Sequence, residues 1–408
     1  MIKDVASDDI PVIRSEADPV DLLHLLGTVR NQGKPILLQN MENLCGFNVK
    51  PAKPGELAQV VTAYAITSDD PFFHRLADGL LRVINHTAQQ NSVAVNLHRH
   101  DTVLLVMKPD GSAELWLDAA AQAIRFIAKR VIAPGTVVFS SDIADITSQY
   151  FPCVEIAPSD KVLCIFREGW RFGMVFDFNP DQQLNLAGFE QAMGTLVREL
   201  RYRHLYEALG DETVFSKLVS NGWFPFVEII AHEANDLIDH CTAGFELADL
   251  ESRIVARFDE ARLQSLLNRW AAKPHLASRM NILTAGIKAF KRGDPIGVIK
   301  ILLSEIEGML REAYRTANEG KSAKLKLLLE FAMASASSKV GGSNTLMFPV
   351  AFAEYLQKHT YADFDPNSQE GAASSRHAVN HGAAQQDSYT MPRALQAILT
   401  LDQLAFYT

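Results

Sequence analysis

An arginine and a histidine separated by four residues offer the clearest chemistry in this chain. Arg376 supplies a permanent, forked cation whose shape suits a phosphate group. His381 belongs to the residue type whose proton affinity lies nearest neutral pH. Together the two side chains are the minimum equipment for moving a proton on a ribose while the neighbouring phosphodiester is held in place. Taken alone, the pair is a weak signal for chemistry on RNA, and the alternative is a solvated arginine with an incidental histidine.

The spacing of the pair limits how it can work. Five residues along a regular helix correspond to a rotation of about 140°, so one unbroken helix would not direct both side chains at a single phosphate. The pair converges if the segment is a loop that runs into a helix, or if two protomers contribute one pair each. Ser374 and Ser375 before the pair and Gly382 after it favour irregular geometry. We expect both residues at or just before the start of a helix.

The residues around the pair resemble the Arg-x4–6-His signature of the HEPN superfamily. A polar residue, His377, follows the arginine directly, and Gly382 follows the histidine, ahead of a final amphipathic segment. Upstream, residues 296–311 resemble the second long helix of many HEPN domains, and Glu307 fits the acidic position that this helix often carries. The resemblance covers residues 274–408.

The resemblance implies metal-independent RNA cleavage without a cofactor. His381 would be the acid or base that moves the proton of the ribose 2′-hydroxyl. Arg376 would stabilise the charge that grows on the phosphoryl oxygens as a 2′,3′-cyclic phosphate forms. His377 and Asn380 would have supporting or RNA-binding roles, and Glu307 would orient Arg376 or His381 across the helical bundle.

Two observations keep other interpretations open. Glu307 lies four residues before Arg311, so the two can form an ordinary ion pair within one helix. HEPN domains are also known as non-catalytic folds that bind nucleotides or partner chains. The alternative hypothesis is therefore a non-catalytic HEPN-like module that dimerises and binds a nucleotide or RNA, while the N-terminal region recognises a partner.

A second polar group permits a metal-dependent hydrolase as a third, weaker hypothesis. His232 and Asp236 are four residues apart, the spacing of ligands on one helix face, and Glu233 lies between them. Because Asp236 stands where the zinc-protease motif has its second histidine, a solvated helix face is the favoured interpretation. Residues 98–101 (His-Arg-His-Asp) are similarly interpreted as a polar entry to the strand that follows. We expect no metal.

The composition is that of an ordinary globular protein. Of 408 residues, 48% are hydrophobic and 21% are charged, and the formal net charge is −9. Any RNA contact must therefore be a local basic cleft. With no long apolar run and no secretory signal pattern, we expect a cytoplasmic protein without a membrane span. The cysteines lack Cys-x-x-Cys spacing and are predicted to be buried free thiols: Cys45, Cys153, Cys164 and Cys241.

Residues 1–180 mix strand and helix signals. Asp18-Pro19 and Asp70-Pro71 each predict the start of a helix, and residues 35–38 predict a buried strand. The remaining strand segments are predicted to pair as two hairpins, 103–107 with 113–117 and 161–166 with 172–178.

After residue 180 the strand signals stop. The apolar periodicity predicts helices over 197–208 and 223–240, and one long helix from 247 to about 270. From residue 274 onward it predicts a bundle of four or five helices, interrupted by soft polar stretches at 334–344 and 364–375. Thr390 and Pro392 predict the start of the last helix.

The predicted fold class is α+β with three parts: a mixed α/β sensor or regulatory domain (1–180), a helical connecting region (181–273) and a HEPN-like helical bundle (274–408). The leading hypothesis is an endoribonuclease, such as a toxin or antiphage defence effector. Its expected partners are RNA, a second copy bound through the C-terminal helices, and a regulatory protein.

Overall fold

The fold is α+β, as predicted: antiparallel strands occupy the first part of the chain and helices the rest. A computed structural model describes residues 33–339, 344–362 and 375–408. The helix predicted at Asp18-Pro19 and nearly all of the polar stretch 364–375 lie outside these residues. None of the described helices combines the length and the hydrophobicity needed to cross a bilayer.

The described strands form one large sheet and two small ladders. The order β1-β6-β5-β9-β10-β4 makes a six-stranded antiparallel sheet, while β2 pairs with β3 and β7 pairs with β8. Both predicted hairpins are confirmed, because β5 pairs with β6 and β9 pairs with β10. The strands are β1 (Ile36–Leu38), β2 (Phe47–Asn48), β3 (Val60–Val61), β4 (Ala63–Thr67), β5 (Thr102–Met107), β6 (Ala113–Leu117), β7 (Ala123–Ala128), β8 (Ile143–Tyr150), β9 (Lys161–Glu168) and β10 (Arg171–Asp177).

The six-stranded sheet buries both faces, because side chains alternate along each strand. On β5, Leu105 belongs to the core that packs under helix α1 (Phe73–Gln90), whereas its neighbour Leu104 belongs to the core shared with the later helices. The helix predicted at Asp70-Pro71 is confirmed by α1; the Asp70 carboxylate accepts a hydrogen bond from the Phe72 N–H at 2.8 Å. The predicted strand at 35–38 is an edge strand, and its Leu37 is exposed.

Helices make up the rest of the described chain. They are α2 (Leu186–Arg201), α3 (Arg203–Gly210), α4 (Glu212–Ser220), α5 (Glu233–Ala243), α6 (Ala248–Ala256), α7 (Glu260–Ala271), α8 (Met280–Lys291), α9 (Pro295–Ala317), α10 (Leu325–Lys339), α11 (Pro349–Tyr355, continued by a π turn over Leu356–Thr360), α12 (Arg376–Asn380) and α13 (Met391–Tyr407).

Helix α2 joins the strands to the helices by close backbone packing. A Cβ added to Gly194 would lie 2.5 Å from the Ser148 Cα of β8, so the helix can lie this close only with glycine at that position. Next to this contact, Arg198 is buried and its Nε lies 3.6 Å from an oxygen of the buried Asp145. Asp145 also accepts a hydrogen bond from the Thr345 hydroxyl, which ties strand β8 to the C-terminal part of the chain.

Helix α13 lies at the centre of the helical part. Every residue from Ala394 to Tyr407 is buried, including Asp402. The Asp402 carboxylate accepts hydrogen bonds from Arg269 Nε at 3.0 Å, Arg269 Nη2 at 2.8 Å and Trp270 Nε1 at 2.8 Å. Arg269 also donates to the Lys129 carbonyl oxygen at 2.8 Å. One buried ion pair therefore connects α13, α7 and the end of β7.

The prediction of one continuous helix from 247 to about 270 is wrong. The chain forms α6 and α7 instead, with a break at Arg257–Asp259. Asp259 caps the new helix, because its carboxylate accepts a hydrogen bond from the Arg262 N–H at 2.8 Å. The apolar residues keep their helical spacing across the break, which is why periodicity alone predicts one helix.

Two other predicted boundaries are corrected. The segment 223–240 becomes α-helical only at Glu233, and Val227–Ile229 form a 3₁₀ turn before it. Pro225 disfavours helical backbone at Phe224. The stretch 334–344 was predicted to be soft, but its first six residues belong to α10, where Ala336 is fully buried. Residues 340–343 lie outside the described part. The segments over 197–208 and from Thr390 are confirmed as helical, although α2 and α3 divide the first.

One hydrophobic core runs from the strands to the end of the described chain. It includes Leu104 of the sheet, Val197 of α2, Trp270 of α7 and Leu401 of α13. The division at residues 180 and 273 therefore remains a prediction from the sequence pattern, and side chains on both sides of each boundary pack together. Of the cysteines, Cys164 and Cys241 are buried as predicted, whereas Cys45 is exposed and Cys153 half-buried.

Replacing Asp402 with asparagine should destabilise the protein strongly. The variant removes the charge that compensates Arg269, and breaking one side of a buried ion pair typically costs about 3–5 kcal/mol. Urea unfolding followed by circular dichroism measures the change. Arg253→Ala on the exposed face of α6 is the control and should stay within about 0.5 kcal/mol of the parent chain. Equal stability of the two variants would contradict a structural role for the pair.

Candidate active site

The segment that contains the predicted pair forms a short helix. Arg376 is the first residue of α12 and His381 caps its end, so only the arginine lies at a helix start and the prediction for His381 is wrong. The Ser375 hydroxyl caps the first turn and donates a hydrogen bond to the Ala362 carbonyl oxygen at 3.0 Å. Gly382 has a φ of +71°, which lets the chain turn away after the cap.

Arg376 is held against helix α9 by an acid that the sequence singled out. Its Nη2 lies 2.7 Å from Oε2 of Glu307, and the two side chains are only 18% and 15% exposed. The other carboxylate oxygen, Oε1, accepts a hydrogen bond from Arg311 Nε at 3.0 Å. Both pairings considered from the sequence are therefore present at once, and Glu307 connects an exposed arginine to a half-buried one.

A tyrosine that the sequence did not indicate lies beside this ion pair. Tyr361 is buried, and burial raises the pKa of its hydroxyl, while Arg376 lowers that pKa and Glu307 raises it. Its ring centroid lies 6.3 Å from that of His377. Within the described residues, neither the Tyr361 hydroxyl nor Arg376 Nε has a hydrogen-bond partner, although both atoms are buried. Two donors at the site, one of them on the guanidinium itself, are therefore without a partner among these residues.

The predicted residues divide between two ends of α12. Arg376, His377 and Glu307 lie together around Tyr361, whereas Asn380 and His381 are exposed at the other end of the helix. Because α12 is regular between them, the rotation expected for a five-residue spacing separates the directions of Arg376 and His381. The first group can hold an anion beside a guanidinium, and the second presents an imidazole to solvent.

The group considered for a metal is occupied by arginines. Glu233 accepts a hydrogen bond from Arg262 at 2.7 Å, and Asp236 lies 3.5 Å from Arg257. No cluster of three or more His, Cys, Asp or Glu side chains suited to a metal occurs among the described residues. Glu233 is buried, so the solvated helix face expected from the sequence is wrong for that residue.

Residues 98–101 lead into strand β5, as interpreted from the sequence. They form a 3₁₀ turn at Leu97–Arg99, after which His100 Nδ1 lies 2.8 Å from an Asp118 carboxylate oxygen. Asp101 pairs with Arg167 at 3.1 Å. These contacts stabilise the residues directly before strand β5.

Comparisons with protein-family models, with curated proteins and with solved structures found no match to this chain.

The coupling free energy between Glu307 and Arg376 should be larger than that between Glu307 and Arg311. The first joins two half-buried side chains on different helices, where coupling energies of about 0.5–3 kcal/mol are usual. The second involves a half-exposed arginine within one helix, for which about 0.3–0.5 kcal/mol is typical. Double-mutant cycles with glutamine at Glu307, Arg376 and Arg311, measured by urea unfolding, compare the two. A larger coupling to Arg311 would mean that Arg376 is not held by Glu307.

Proposed function

We propose that this protein is a metal-independent endoribonuclease that uses Arg376 and His381 and belongs to the HEPN type. The observation that carries the proposal is the ion pair between Arg376 and Glu307, which joins α12 to α9. The motif residue and the acidic helix residue were each selected from the sequence for their resemblance to HEPN domains. Their direct contact supports that assignment, because the resemblance expects the acid to orient the arginine.

The proposed reaction is an internal transfer at phosphorus. A base removes the proton of a ribose 2′-hydroxyl, and the oxygen attacks the adjacent phosphorus atom. The bond to the 5′-oxygen of the next nucleotide breaks, that oxygen takes a proton, and a 2′,3′-cyclic phosphate remains. His381 is proposed to move the proton, since histidine changes charge within the physiological range.

Arg376 is proposed to stabilise the phosphoryl oxygens during this transfer. A guanidinium has five N–H donors, so an arginine bound to one carboxylate oxygen retains donors for a phosphate. Glu307 keeps the side chain in place, and burial raises the pKa of the neighbouring Tyr361 hydroxyl, which keeps that group neutral. Preorganised donors of this kind are usually the largest contribution to a rate enhancement.

RNA cleavage should persist in a chelator and leave 2′,3′-cyclic phosphate ends. Arg376→Ala should lower the rate by at least about 10²–10³-fold, the usual effect of removing an electrostatic stabiliser. His381→Ala should remove cleavage, and the pH–rate profile should change between about pH 5 and 8. The measurement is incubation of purified protein with total RNA, followed by sequencing of the ends.

Matched exposed residues provide the controls. Arg315→Ala on α9 and His74→Ala on α1 should cleave like the parent chain. Equal activity of the parent and the Arg376→Ala/His381→Ala double variant would refute the proposal, provided that circular dichroism shows both to be folded.

A symmetric dimer through the C-terminal helices is proposed to complete the site. Arg376 and His381 lie at opposite ends of α12, and a twofold contact would place His381 of one protomer near Arg376 of the other. Mixing Arg376→Ala protein with His381→Ala protein should then restore part of the activity, because one composite site per dimer regains both residues. Full cleavage by a protein that remains monomeric in light scattering at micromolar concentration would exclude this arrangement.

The second candidate function is a non-catalytic HEPN-like binding module. The observation that favours it is the compensation of the Arg376 charge by Glu307, which resembles a structural ion pair as much as a catalytic one. This function predicts RNA or nucleotide binding that Arg376→Ala weakens, without cleavage by the parent chain. A role in toxin or antiphage defence systems, with a regulatory protein at the N-terminal region, belongs to the first proposal.

A further inference from the structure

A cleft with an unusual share of cations lies between the strands and the helical part, apart from α12. Its volume is about 760 Å³, within the range of small-molecule sites. The end of β7, helix α7, the end of α10 and helix α13 form its walls. Five basic residues line it: Lys129, Arg130, Arg269, Lys273 and Lys339.

The two arginines of this cleft already have acidic partners. Arg130 binds both carboxylate oxygens of Asp142, at 2.6 and 2.8 Å. Arg269 is bound to Asp402 and to Glu228, each at 2.8 Å. Their charges are therefore largely compensated within the protein.

The three lysines are different. Within the described residues, no Asp or Glu oxygen lies within 4 Å of the ammonium groups of Lys129, Lys273 or Lys339. Lys129 is only 6% exposed, and burial lowers its pKa to about 8 despite the more distant charge of Glu228. A buried, charged lysine without a close counterion is costly, and an anion bound in the cleft would lower that cost.

Lys273 and Lys339 strengthen this imbalance. Desolvation lowers the pKa of Lys273, although the charge of Asp402 raises it. Although Lys339 is exposed as a residue, desolvation and the charge of Lys273 lower its pKa to about 7. Lys339 also donates to the main-chain oxygens of Phe406 and Thr408, which fixes its direction.

We propose that this cleft binds a small molecule that carries two or more linked phosphate groups. Three lysines that lack an Asp or Glu partner line one volume, and a bound phosphate chain would supply the missing negative charge. Apolar contact is available from Ile127, Val131 and Phe406, and Ser265 and Asn268 add polar groups on the α7 wall. The ligand can therefore carry an organic group beside its phosphates.

The charge distribution favours a small ligand over RNA. A protein that binds nucleic acid along its surface needs an extended basic stripe, whereas this chain has a net charge of −9. The acids Asp402 and Glu228 pair with Arg269 of the cleft wall, so part of the positive charge there is already compensated. The site is independent of Arg376, so failure of the ribonuclease proposal would leave this one standing.

Isothermal titration of the full chain with inorganic triphosphate, ATP and a short single-stranded RNA tests the proposal. Triphosphate, ATP or both should bind, and Lys273→Gln/Lys339→Gln should weaken that binding at least tenfold. Lys288→Gln/Lys300→Gln removes the same charge from exposed positions on α8 and α9 and should leave the affinity unchanged. ATP binding at least tenfold more tightly than triphosphate would show that the apolar wall contacts an organic group; equal binding would assign recognition to the phosphates.

Lys129→Met separates a ligand-binding role from a structural one. Because burial lowers the pKa of Lys129 well below its usual range, the charged lysine opposes folding near neutral pH. The variant should therefore raise the melting temperature without ligand and lose the further rise that triphosphate or ATP gives to the parent chain. No binding of either compound at 1 mM, binding by RNA alone, or equal affinity in the Lys273/Lys339 variant would each overturn the proposal.

Discussion

The constraint on which the rest of the structure depends is the burial of Asp402 within helix α13. Burial raises the pKa of this carboxyl group, and the charge becomes acceptable because Arg269 and Trp270 donate to it. Arg269 also donates hydrogen bonds to Glu228 and to the Lys129 carbonyl oxygen, so its other N–H groups have acceptors as well. Four separate parts of the chain must therefore meet before any of these polar groups is satisfied, which makes the arrangement specific as well as stable.

A helix that is buried on all sides must satisfy all its polar side chains inside the protein. Helix α13 does so along its length: Gln403 accepts a hydrogen bond from the Val227 N–H at 2.8 Å, and Gln396 donates to the Asn221 carbonyl oxygen at 2.9 Å. Its 17 residues span about 25 Å. One end packs near His359, close in sequence to Tyr361 of the candidate active site, and the other end supplies Phe406 to the basic cleft.

The parts of the fold that the sequence predicts are those in which local chemistry and tertiary packing agree. The hairpin between β5 and β6 has a Pro-Asp-Gly turn, and α13 has a threonine cap followed by proline. The break at Asp259 escapes prediction because apolar spacing continues through it, although an aspartate before a helix is a recognisable cap. In the candidate site, Glu307 and Arg376 are found from a motif, whereas Tyr361 is not. It comes between a helix end and a polar stretch, and only the packing of α12 onto α9 gives it a chemical context.

The basic cleft cannot be predicted from composition either, because its residues come together only through tertiary packing. Lys129, Lys273 and Lys339 are separated by more than 60 residues at each step, and the total charge of −9 gives no sign that they meet. They meet because Arg269 draws the Lys129 backbone to the C-terminal end of α7, next to Lys273, while α13 holds α10 on the other side. Each arginine of the cleft is neutralised by an acid and serves the fold; each lysine is left without one. The presence of three lysines without Asp or Glu partners in one cleft is the physical basis for proposing an anionic ligand there.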